Sequence, residues 1–212
     1  DYAEAVTAYQ TALDLRPDLR SYNRAAHLRW LHGDVDGARE ALELALDAGS
    51  PRDPESMAWC YVDLGTIYLE QGDTQRALAA VDRADRLVPG YVPALILQAR
   101  AQAAAGDIAA AIASYEVSTE RLPHVEDLLA LSELYARQGR STDSATRLDQ
   151  ARRLAGGDPR PLAHHLARHR LDLDEALRLA EQELTQRRNL AALDTHALVL
   201  IRRGELDPAK AS

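Results

Sequence analysis

The chain has 212 residues, 46% of them hydrophobic, enough to bury a substantial core, but no apolar run reaches the roughly 20 residues that span a bilayer. Its formal net charge of −8 argues against a nucleic-acid surface, which needs a basic stripe. Cys60 is the single cysteine, which excludes an internal disulfide and a cysteine zinc cluster and is compatible with a cytosolic location.

Ala, Leu and Arg dominate, Phe is absent and β-branched runs are missing, so the elements read as helices throughout. Nearly all positive charge is Arg, Lys210 being the only lysine, which codon bias explains. In chain order, Tyr2, Ala5, Tyr9, Ala12 and Pro17 mark a lone helix over 1–18, the second half of a hairpin. Residues 19–50 form the next unit, with Gly33-Asp34, Ala38, Leu42 and Ala45; within it, Tyr22 to Trp30 runs about one residue out of phase. Gly49-Ser50-Pro51-Arg52-Asp53-Pro54 lengthens the connection that follows. The clearest unit is 58–91, where Leu64-Gly65 and Tyr68 share a helix face. There Gly65 is small where two helices approach, Gly72 takes positive φ at a helix end, and Asp73 opens the second helix. Ala77, Val81 and Ala84 form that helix's buried stripe, and Pro89 stops it.

Residues 92–124 keep Ala99, Gly106-Asp107, Ala111, Tyr115 and Pro123, and 125–157 keep Leu131-Ser132, Tyr135, Gly139, Ser144 and Ala151. The unit at 158–189 is degenerate, with Leu171-Asp172 in place of Gly-Asp. A half-unit over 190–212 holds Ala197, Gly204, Leu206 and Ala209. Gly72 and Gly106 stand 34 residues apart and Gly106 and Gly139 stand 33 apart, the period of stacked helical hairpins. Since the chain starts at Asp1 inside one hairpin and stops at Ser212 inside another, it reads as a fragment of a longer chain.

Tyr61, Leu64-Gly65, Tyr68, Gly72-Asp73, Ala77, Val81, Ala84 and Pro89 resemble the tetratricopeptide repeat pattern, with Val81 where an aromatic is commoner. The stretch from Asp174 to Ala209 is also similar to a type of bacterial repeat protein. The resemblance covers essentially the whole chain. It implies an all-α, right-handed solenoid of antiparallel hairpins, a single array over 1–212, acting as a non-catalytic scaffold for a protein or peptide partner. The first helix of each unit would line a concave groove. Carried over by repeat phase, the groove positions are Asn23, His27, Trp30, Val62, Asp63, Thr66, Leu69, Ile96, Arg100, Leu129 and Glu133, with Trp59 beside them. Arg20, Asn23 and Arg24 supply part of a carboxylate clamp, but Asp63 replaces the Asn that its other half needs.

The sequence holds no Gly-x-Ser-x-Gly, phosphate loop or dinucleotide fingerprint, and implies no cofactor. The one metal-like cluster is His164, His165 and His169, of which His165 and His169 lie i, i+4 on a helix. It lacks the Glu of a zinc protease and carries Arg168, and no spacing selects Glu175 or Glu181 as a further ligand, so the expectation is no metal. A metal-binding protein built on those histidines is the rival reading; a spacer or self-associating segment is another.

Overall fold

The computed structural model describes residues 2–205. Among them are twelve helices and no strand: α1 (Tyr2–Leu15), α2 (Leu19–Leu31), α3 (Val35–Asp47), α4 (Pro54–Glu70), α5 (Thr74–Leu87), α6 (Val92–Ala104), α7 (Ile108–Arg121), α8 (Val125–Arg137), α9 (Ser141–Leu154), α10 (Arg160–His169), α11 (Leu173–Gln186) and α12 (Leu190–Arg203). They form two compact units, Asp1–Arg121 and Leu122–Ser212. Leu206 and Ala209 of the expected terminal half-unit lie outside the described residues.

In the first unit α1 lies against α2, and three hairpins follow: α2 with α3, α4 with α5, α6 with α7. First helices also touch one another, α2 on α4 and α4 on α6, so each hairpin buries its apolar face against the next. One core layer joins Leu19, Ala26, Ala38, Leu42, Cys60, Leu64 and Ile67; another joins Ala58, Val62, Val81, Ala84, Ala94 and Leu97. Gly65 sits at the tightest approach, where an added Cβ would stand 2.6 Å from Leu97 and 3.0 Å from Ala80.

The hairpin turns of the first unit share one mechanism. Gly72 has φ +80°, and beyond it the Asp73 amide donates back to the Tyr68 carbonyl at 2.9 Å, closing the helix end. The Asp73 carboxylate then accepts from the Arg76 amide at 2.9 Å and caps α5. Asp34 and Asp107 cap the second helices of the neighbouring hairpins in the same way. Helix α4 begins at Pro54, four residues ahead of Ala58, because Asp53 caps it through the Ser56 amide and proline suits its first turn. A further bond ties successive repeats: the Arg121 guanidinium, at the end of α7, donates to the Gly90 carbonyl in the α5–α6 connection at 2.6 Å.

The second unit pairs α8 with α9 and α10 with α11, and α10 also touches α8 and α12. Its core gathers Leu128, Leu129, Ala151, Leu162, Leu166, Ala176, Leu179 and Val199. Ser132 stands where the clearest repeat has Gly65; its hydroxyl donates to the Ser144 carbonyl at 2.9 Å and ties α8 to α9. In the degenerate hairpin the left-handed residue is Arg170, with φ +52°, and not Leu171, because α10 ends early. The Leu171 amide still reaches the Leu166 carbonyl at 3.0 Å, and Asp172 still caps α11 through the Glu175 amide. The turn is preserved on a residue poorly suited to it.

Candidate functional site

The first unit contains a pocket between the leading helices of adjacent hairpins. On α2, Asn23, His27 and Trp30 follow one another at i, i+4 and i+7; on α4, Trp59, Asp63 and Thr66 do the same. The two rows flank a cavity of about 350 Å³, to which Tyr9 of α1 and Arg24 also contribute. Buried Ala26, Leu42 and Ile67 give it an apolar lining, and Trp59 is 47% exposed at its edge.

Two polar bridges hold the walls. The Asn23 amide donates to the Asp63 carboxylate at 2.9 Å, and Trp30 Nε1 donates to Glu70 at 3.1 Å. The His27 and Trp30 rings lie 5.8 Å apart, tilted by 47°. Burial pushes the Asp63 carboxyl above its ordinary pKa, against the hydrogen bond from Asn23, the charge of His27 and the hydrogen bond from Trp59, which all lower it. Cys60, fully buried behind this wall, has its thiol pushed up to about 12 by burial and then by Asp63, so it carries no thiolate at neutral pH. A second opening of about 400 Å³ continues past Asn23, Arg24 and Trp59 to Arg20, Asp53 and Tyr91, with Arg20 and Asp53 paired at 3.5 Å.

The family model for the tetratricopeptide repeat matches residues 1–54 and 62–126, more than half of the chain. The chain belongs to the tetratricopeptide repeat family. Solved structures with the same fold include PilF of Pseudomonas aeruginosa, 18% identical with a TM-score of 0.65 over 92% of this chain and 89% of that one. MamA from Desulfovibrio magneticus is 13% identical, with a TM-score of 0.59 over 74% and 87%. YrrB, described as having an unusual peptide-binding site, is 22% identical, with a TM-score of 0.55 over 77% and 82%. No curated protein matches the chain. As a tetratricopeptide repeat protein, the chain is a helical-repeat solenoid of the protein-interaction scaffold class, whose members bind protein or peptide partners. Among the described residues no helix is long and apolar enough to cross a membrane.

Within the tetratricopeptide array, Asn23, His27, Trp30, Asp63 and Thr66 come together around the pocket. Val62 and Leu129 do not face a groove: Val62 is 9% exposed in the α4–α5–α6 core and Leu129 is 4% exposed in the core of the second unit. Each falls on the stripe that its helix turns toward a partner helix. Leu69 packs against the same core as Val62, while half-buried Ile96 and exposed Arg100 lie on α6, away from the pocket lining. Tyr9, Ala26, Leu42 and Ile67 were not among the expected groove positions; they lie on a preceding second helix or on core stripes, and only the stacking of hairpins brings them to the cavity.

In the second unit, Glu133 meets the histidines. Its carboxylate lies 3.4 Å from His169 Nε2, and the His165 and His169 rings are 4.5 Å apart. Ligand-capable atoms of these three residues all lie within 4.8 Å of one another. His164 is not part of the group, and Glu175 pairs with Arg152 at 3.0 Å. Burial, then His169, lowers the His165 pKa to about 4 against the pull of Glu133, leaving it neutral at physiological pH.

Proposed function

We propose that this protein is a non-catalytic scaffold that binds an extended peptide or protein segment in the pocket between α2 and α4. The observation that carries the reading is the pocket itself: an apolar lining of Ala26, Leu42 and Ile67 between walls bearing Trp30 and Trp59. Large aromatic side chains at the rim of a small apolar cavity are the usual anchors of such contacts, since a partner buries them on binding. The lining selects a segment with one aliphatic or aromatic side chain, and Arg24 favours an acidic neighbour to it. Asp63 is held by Asn23 and Cys60 stays a protonated thiol, so the wall supplies shape and hydrogen bonds in place of a nucleophile.

Both tryptophans of the chain line the pocket, which makes intrinsic fluorescence a direct reporter of occupancy. The test begins with peptides selected against the wild-type protein from a random display library. Trp30→Ala and Thr66→Arg are expected to weaken their binding at least ten-fold, about 1.4 kcal/mol or more, without unfolding the array. Arg76→Ala, on exposed surface of the second helix α5, is expected to leave binding unchanged. Peptides that bind Thr66→Arg as tightly as wild type, or that lose affinity only with Arg76→Ala, defeat the proposal.

A further inference from the structure

We infer that Glu133, His165 and His169 form a binding site for a divalent transition-metal ion of the zinc class, bridging α8 and α10. The site is independent of the peptide pocket, which lies in the other unit. His165 and His169, at i and i+4, present both rings from one face of α10. Stacking of α10 on α8 adds the carboxylate that spacing along the sequence did not select. Two imidazoles and one carboxylate are the donor set of three-ligand zinc sites, which leave a further position for water. Two donors about 2.1 Å from a tetrahedral centre stand roughly 3.4 Å apart; His169 Nε2 and Glu133 stand at 3.4 Å, and the remaining ligand atoms within 4.8 Å close on a shared ion by small side-chain rotations.

The surroundings suit a partly open site. The side chains of His169 and Glu133 are 31% and 38% exposed, giving an ion access and leaving room for a water ligand. His165 is half-buried beneath them. Arg168, on the same helix, is exposed, so its charge is screened by solvent. A bound ion replaces the contact of His169 with Glu133 by two coordinate bonds and fastens the first helices of consecutive hairpins.

The experiment uses tag-free, metal-stripped protein titrated with Zn²⁺ by calorimetry, and with Co²⁺ read by visible absorption. One equivalent is expected to bind, with the d–d bands of four-coordinate Co²⁺. Loss of a direct ligand costs no less than loss of a group supporting one, so Glu133→Gln, His165→Ala and His169→Ala each weaken Zn²⁺ binding by about ten-fold or more. His164→Ala binds as wild type. Circular dichroism checks that each variant folds; Glu133→Gln, isosteric and half-exposed, decides the matter if a histidine variant does not. The inference is overturned if Zn²⁺ shows no saturable binding, if Glu133→Gln binds as tightly as wild type, or if only His164→Ala removes the ion.

Discussion

Arg170 holds a left-handed conformation that every other described hairpin turn in the chain gives to glycine. A side chain in that region costs about 1–2 kcal/mol, and the residue is exposed, with no packing role to offset it. Arg170→Gly is therefore expected to stabilise the protein by about 1 kcal/mol, partly reduced by the greater freedom of glycine in the unfolded chain, as read by thermal or urea denaturation. The same argument run backwards makes Gly72→Val destabilising by about 1 kcal/mol or more. The glycine turns were legible in the sequence because the Gly-Asp pair carries both the positive φ and the following cap. Arg170 was not, since losing the glycine shortened α10 and moved the left-handed position one residue upstream of the expected site. Asp63 supplies a residue-scale test of burial. Its pKa is raised in the fold, so the ionised form costs stability: the penalty is absent below the unfolded value of 3.8 and fully present above the folded one. Asp63→Asn, which still accepts from Asn23, should exceed wild type in stability at pH 7, and the difference should shrink as the pH falls through the raised pKa toward 3.8. Equal gaps in urea melts at pH 7 and pH 4 would contradict this.

At the scale of the element, small residues set how closely the helices pack. Ala77 and Ala84 are 0% exposed, and Gly65 faces Leu97 and Ala80 with no space for a methyl group. Gly65→Ala and Ala84→Leu are each expected to destabilise by about 1–3 kcal/mol through overpacking, measured by urea denaturation. These positions were readable because a 34-residue period superimposes one hairpin on the next. The faces of the first helices were less so. Val62 and Leu129 each stand one helical turn before a groove candidate, Thr66 and Glu133, on nearly the same face, yet their side chains lie in the core, a difference that repeat phase alone does not resolve. Asn23 with Asp63, and Glu133 with His169, are partners 40 and 36 residues apart. Neither pair shows in any periodicity, because the offset between stacked helices, not the pattern along one helix, decides which side chains meet.

For the molecule as a whole, stability in a repeat array is a sum of each hairpin's own contribution and its interface with the next. Most ion pairs here are solvent-exposed and contribute little each, so interfaces rest on the core layers and on a few bonds that cross between repeats. The Arg121 bond to Gly90 is one of these. It reaches back from the end of one hairpin to the connection that precedes that hairpin, and Gly90, with φ +70°, leaves the space its guanidinium fills. Such a bond acts on fluctuation more than on the midpoint of unfolding: while it holds, the α5–α6 connection cannot lift without freeing the last turn of α7. Removing it by Arg121→Ala should speed amide hydrogen–deuterium exchange at Gly90 and Tyr91 while leaving the protected interior of α4 unchanged, so that the seam between two repeats breathes before either repeat does.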